Sequence, residues 1–221
     1  MIAYLPLMLR AAGTTLWLSW LAMLIGAFGG TLLALVHMQR IAPFRWLAIA
    51  YMEFFRSVPI LIVMFFAYYG VPLVLGLDLS PFAAATLALA LHASATMSEV
   101  VRAGIGSVGH GQWEAAQAAG FTWLQTMRHI IAPQALRVVL PPSIGVFITT
   151  LKESSLASII GYIELTRTGL LVRDSTGGGF APLLALGVLY FLINYAISQI
   201  GAALERRFQT GSRIETVGAM A

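Results

Sequence analysis

Apolar residues run almost unbroken over residues 15–36, 46–73, 82–101, 138–158 and 182–204. As a helix rising about 1.5 Å per residue, each block can cross the roughly 30 Å hydrocarbon layer of a bilayer. Polar residues separate the blocks. His37, Gln39, Arg40 and Arg45 end the first, and Gly76, Asp78 and Pro81 make a short turn before the alanine-rich third. A polar stretch over residues 102–137 divides the third from the fourth. The pattern predicts an all-α integral membrane protein with about five transmembrane helices, forming a single domain over residues 1–221. Residues 166–181, with Gly177, Gly178 and Gly179 near their end, are expected to form the most loop-like segment between spans.

Composition narrows the class. Of the 221 residues 59% are hydrophobic and 10% charged, with a mean hydropathy of +0.84. A soluble domain carries about 25% charged residues, so a secreted enzyme, a nucleic-acid reader and a disordered tail are all excluded. Cysteine is absent, which rules out disulfides, thiolate metal sites and a cysteine nucleophile. The formal charge of +4 follows from where arginines collect in membrane proteins and does not require a polyanionic partner. With residues 102–137 placed in the cytoplasm, that side holds Arg40, Arg45, Arg102, Arg128, Arg137, Arg206, Arg207 and Arg213. The other side keeps Arg10, Arg167 and Arg173, so the amino terminus is expected outside and the carboxyl terminus inside. No basic cluster precedes the first block, which therefore reads as a retained helix and not a cleaved signal.

Within the central polar stretch, residues 112–119 are strong helix formers with Glu114 in the opening turn, where a carboxylate suits the helix dipole. Gly120 supplies a stop. A second short helix is expected over residues 122–131, ending near Pro133, whose ring removes a donor and disfavours helix at Ala132. Two short helices joined at a glycine also describe a helix-turn-helix DNA reader. A recognition helix held between two spans would offer phosphates only Arg128 and His129, which is not a basic stripe. Composition suits two other roles equally: a docking element for another protein, or a helix lying on lipid through Trp113, Phe121 and Trp123.

Charges at membrane depth are costly and are paired, close to an interface or functional. Glu53 and Arg56 share a helix face and are expected to pair, and Glu99 with Arg102 repeats the spacing. Glu153 sits in Lys152-Glu153-Ser154-Ser155 deep in the fourth block, where a carboxylate and hydroxyls face a polar pathway sooner than lipid. The competing arrangement is a Lys152–Glu153 pair that snorkels or meets a neighbouring subunit. Pro59 is placed to break the second helix and free backbone groups toward the same cavity. His92, alone on an apolar span, reads as a hydrogen-bonded packing residue, and His110 and His129 as surface residues. No two histidines have metal spacing. No nucleophile, base and oxyanion donor stand at a recognisable spacing for a membrane enzyme.

Glu114-Ala115-Ala116, Gly120, Ile130 and Ala132-Pro133 together resemble the EAA loop of ABC importer permease subunits, with Ala132 where the family usually has leucine. FRSVPILIVMFFAYYGVP (residues 55–72), SEVVRAGI (residues 98–105) and LKESSLASIIGYIEL (residues 151–165) resemble the polar amino acid branch of that family. The resemblance implies a type I ABC importer permease fold in the bacterial cytoplasmic membrane. It implies a second permease subunit, the same or homologous, and a cytoplasmic ATPase dimer docked on the helix of Glu114, Ala115, Ala116 and Gly120. It also implies a periplasmic or lipid-anchored amino acid binding protein. ATP and Mg would belong to the ATPase. The only lysine, Lys152, lies between Leu151 and Glu153, so the chain has no phosphate-binding Gly-Lys-Ser/Thr loop of its own. For an amino acid substrate, Glu153 would accept the ammonium group and Ser57, Ser154 and Ser155 would donate to the carboxylate, while Glu99 is as readily a structural partner as a substrate contact. The rival reading is a gradient-driven carrier or channel using Glu53, Glu99 and Glu153 as a proton relay.

Overall fold

Proline stands in the first turn of α1 (Leu5–His37), α2 (Ala42–Ser57) and α5 (Pro81–Gly106), where its missing N–H would have no helical partner anyway. The computed structural model describes residues 2–38 and 41–218, with side chains over residues 3–38 and 41–207. Gln39 and Arg40 lie outside the described residues, as does the side chain of Arg213. The described residues are all-helical, with no strand.

The second apolar block does not form one straight helix. Pro59 forces the preceding residue out of the helical region, and Val58 is extended at φ −82°, ψ 129°. The chain then resumes as α3 (Ile60–Phe65), a π turn (Phe66–Gly70) and α4 (Val71–Leu75), at 103° to α2. Gly76, at φ +66°, closes α4 in a left-handed conformation that favours glycine.

Beyond α5 come α6 (His110–Ala118) and α7 (Trp123–Thr126). Here the structure corrects the expected stop at Pro133. A π turn over Met127–Ile131 leads straight into α8 (Ala132–Glu153), so the helical path continues from Trp123 to Ser158. Within the π turn the Ala132 N–H donates to the Met127 carbonyl, one residue further back than in an α-helix. The widened turn takes in the proline ring just where its missing donor falls. The presumed external loop over residues 166–181 is also corrected, because α9 (Leu165–Ser175) fills most of it. The last helix, α10, runs Ala181–Gly218. By length and hydropathy α1, the bent α2–α4 unit, α5, Trp123–Ser158 and Ala181–Arg207 make up to five spans.

The core forms where α5 is packed on three sides. Along α1, Gly26 and Gly30 let the two backbones approach. A Cβ at Gly26 would lie 2.6 Å from Ala93 Cβ, and one at Gly30 would lie 2.6 Å from Met97 Cβ and 2.7 Å from the Ser94 carbonyl. Small residues one turn apart are the usual means of close helix packing in lipid, where burial against a neighbour gains little over burial in acyl chains. The rising order of these contacts makes α1 and α5 parallel. Helix α8 runs the other way along α5: a Cβ at Gly104 would overlap Val139, whereas at the far end His92 faces Glu153.

Candidate functional site

The candidate residues fall mainly in two regions: the α6–α7 hairpin between two spans, and a polar seam along α5. In α6 only Ala116 is buried, and Glu114 and Ala115 are exposed. The helix ends in a defined turn. Gly120 takes φ +78°, Phe121 N–H donates to the Ala116 carbonyl at 3.0 Å and Gly120 N–H to Gln117 at 3.0 Å. Thr122 and Gln125 then form a reciprocal capping box that starts α7. His110 Nδ1 lies 3.0 Å from Glu114 Oε1 on the exposed face. A cleft of about 650 Å³ opens beside the hairpin, lined by Met38, Ile105, Val108, Trp113, Glu114 and Phe121 among others. The result is a helix of fixed angle with its outer face free.

The seam joins what the sequence presents as separate pairs. Arg56 lies 3.8 Å from Glu53 on its own helix and 3.7 Å from Glu99 on α5, while Arg102 Nε donates to Glu99 Oε2 at 3.2 Å. The order Glu53, Arg56, Glu99, Arg102 alternates in sign and ties α2 to α5. Two turns of α5 away from Glu99, His92 Nε2 stands 3.7 Å from Glu153 Oε1 of α8. His92 is thus no isolated packing residue, because the antiparallel crossing of α5 and α8 brings it to the carboxylate.

The serines separate. Ser57 is exposed at the elbow end of α2. Ser155 is half-buried and donates to the Lys152 carbonyl at 2.7 Å. Ser154 is fully buried and donates to the Leu151 carbonyl at 2.7 Å, which seals it from any opening in this structure. Lys152 is exposed beside Glu153. Among the described residues no cluster of three potential metal ligands converges.

Glu164 was not singled out by the sequence. Fully buried, it is the N-cap of α9 and accepts from the Thr166 and Arg167 N–H groups at 2.8 Å each. Tyr190 of α10 donates to it at 3.0 Å and Thr15 of α1 at 3.3 Å. Burial pushes its carboxyl group up from the usual carboxylate range, and the backbone and side-chain hydrogen bonds pull it partly back. One side chain therefore fastens three helices. Its sequence signal is a single acid immediately before a helix-forming run.

Residues 22–210 match the family described as binding-protein-dependent transport system inner membrane component. The chain is 36% identical to the probable amino-acid ABC transporter permease YckA of Bacillus subtilis, over 90% of this chain and 86% of that one. It is 32% identical to the arginine transport system permease ArtQ of the same organism, over 95% of each. A crystal structure of an amino acid ABC transporter with histidines superposes with a TM-score of 0.87 at 36% identity, covering 94% of this chain and 96% of that one. An inward-facing MetNI methionine ABC transporter shares the fold, with a TM-score of 0.80 at 22% identity over 94% and 99% of the two chains. With its bundle of apolar helices and the exposed hairpin between two of them, this chain is a multi-pass inner membrane protein of the type I ABC importer permease fold and belongs to the binding-protein-dependent transport system inner membrane components, in their amino acid permease branch.

Proposed function

We propose that the chain is the transmembrane subunit of an ATP-driven importer that moves polar amino acids inward across the cytoplasmic membrane. The observation that carries this reading is α6, a short helix that turns Trp113 and Ala116 inward, leaves Glu114 and Ala115 exposed, and is followed by the Gly120 turn and the Thr122–Gln125 box. Glu114, Ala115, Ala116 and Gly120 form the docking element for a separate ATPase dimer, which holds ATP and Mg. A second permease subunit completes the pore, and a periplasmic or lipid-anchored binding protein delivers the substrate. The whole chain, residues 1–221, acts as one domain, with the amino terminus outside and the hairpin and carboxyl terminus in the cytoplasm. Glu153 receives the substrate ammonium group, and Ser57, exposed at the end of α2, and Ser155, half-buried just after α8, donate to the substrate carboxylate. A proton relay through Glu53, Glu99 and Glu153 is the weaker reading, because Glu53 and Glu99 each face an arginine.

The test is uptake of labelled glutamine, arginine and glutamate into vesicles carrying the permease, its ATPase and its binding protein. Uptake is expected with ATP on the ATPase side and no ion gradient. Uptake driven by a proton gradient without ATP would overturn the proposal.

A further inference from the structure

Resting on the docking role proposed above for α6, we propose that the π turn Met127–Ile131 is a hinge on which the α6–α7 hairpin swings against α8, opening and closing the cleft beside it as the ATPase dimer opens and closes. A plain α-helix from Trp123 to Ser158 would join hairpin and span as one stiff rod. Here the backbone ladder is interrupted at two neighbouring places. The Ala132 N–H reaches back to the Met127 carbonyl, and Pro133 has no N–H to donate. Two nearby carbonyls take side-chain donors: His129 Nδ1–H donates to Gln125 at 3.0 Å and Gln134 Nε2–H to Ile130 at 2.9 Å. Helices bend where the ladder is broken or a side chain enters it, so bending concentrates at this turn.

Packing fixes one side of the turn and leaves room on the other. Ile131 is fully buried in a cluster with Val101, Ile105 and Ala135, which seats the root of α8 against α5. Across the turn, Trp123 and Leu124 of α7 are exposed. Trp113 of α6 touches the same cluster through apolar contact, which can slide. Gln134 Nε2–H reaches Gln112 Oε1 of α6 only at 3.5 Å, the outer limit of a hydrogen bond. The cleft of about 650 Å³ lies between Trp113, Phe121 and Trp123 of the hairpin and the ends of α1 and α5, marked by Met38, Ile105 and Gly106. That gap is the travel of the hinge. The Gly120 turn and the Thr122–Gln125 box hold α6 and α7 together, so the hairpin moves as a unit and pulls on α8 at Ile131.

Because the chain has no cysteine, the motion can be measured between paired paramagnetic labels on introduced cysteines, in the permease–ATPase complex in nanodiscs with cysteine-free partner chains. Leu124→Cys with Val138→Cys spans the turn, and Val138→Cys with Thr149→Cys lies within α8; all three positions are exposed. Between the nucleotide-free complex and the complex held with ATP and vanadate, the first distance should change by more than about 2 Å, beyond the ordinary sliding of packed helices, while the second stays fixed. A stiffened chain supplies the functional arm. Deleting Arg128 together with Pro133→Ala removes the extra residue and restores the donor, which closes the ladder into a plain α-helix with its flanks in place. Co-purification of the ATPase and its basal hydrolysis should match the parent, while ATP-driven amino acid uptake falls roughly tenfold, within the ordinary range of coupling between sites. A first distance indifferent to nucleotide, in a complex that takes up amino acids with ATP, would overturn the hinge and leave the proposed function standing. Full uptake by the stiffened chain would do the same. If the stiffened chain does not insert, the distances in the otherwise unaltered chain decide alone. If no ATPase associates with the unaltered chain, the docking role falls and the hinge with it.

Discussion

Burial makes Glu164 a carboxyl group that holds its proton above the usual carboxylate range, and this fixes the sign of its effect on stability. The folded state binds the proton over a window in which the unfolded chain has released it. Anchoring of α9 should therefore weaken as pH rises from the ordinary carboxylate range through the raised value, and level off above it. Amide exchange at Thr166 and Arg167, corrected for intrinsic rate and followed between pH 4 and 8, should accelerate along that window. In Glu164→Gln the dependence should vanish, and identical pH slopes in the two proteins would contradict the account. Single residues were legible where lipid makes them anomalous: Glu153 stands out in an apolar block whatever it touches. His92 and Glu164 were not legible, because their roles come from helices far away in sequence, α8 for His92 and α1 with α10 for Glu164. Ser154 could be read only as a hydroxyl near Glu153; that it is buried and donates to the Leu151 carbonyl of its own helix had no sequence signal.

Among the elements, the parallel α1–α5 crossing depends on two positions without side chains. At Gly30 an added methyl group would meet Met97 Cβ and the Ser94 carbonyl, and backbone cannot move aside as a flexible tip can. Gly30→Ala is expected to cost about 1–3 kcal/mol by overpacking. Gly13→Ala, on the same helix with nothing within 4 Å of its added Cβ, should be neutral or stabilise by up to about 1 kcal/mol through helix propensity. Thermal unfolding of the purified protein in detergent compares the two. A Gly30→Ala protein as stable as the parent would mean that the helices do not approach this closely. The spans themselves could be read from hydropathy, since the bilayer imposes their length. The breaks could be read only in part. Pro59 ends a helix as its chemistry predicts, while Pro133 does not, because the π turn before it has already displaced the hydrogen-bond ladder. The helix α9 escaped notice because its short amphipathic run and adjoining glycines look like a loop.

For the molecule as a whole, the sequence resemblance and the observed architecture converge on one arrangement, with spans gathered round α5, a charged seam on its flank and a rigid hairpin projecting between two spans. Under the proposed function the work of ATP reaches this chain through a contact with a separate ATPase, and the α6–α7 hairpin is the surface proposed to carry it. Its angle depends on Gly120 at φ +78°, where a β-branched residue is strained by about 1–2 kcal/mol or more. A Cβ there meets nothing within 4 Å, so substitution acts on the turn and not on packing. The most direct measurement is therefore ATP hydrolysis stimulated by the substrate-loaded binding protein, together with co-purification of the ATPase, for Gly120→Val in nanodiscs. The account predicts a membrane-inserted protein of unchanged helix content that loses the ATPase or its stimulation. Co-purification and stimulated hydrolysis both equal to those of the parent would contradict it.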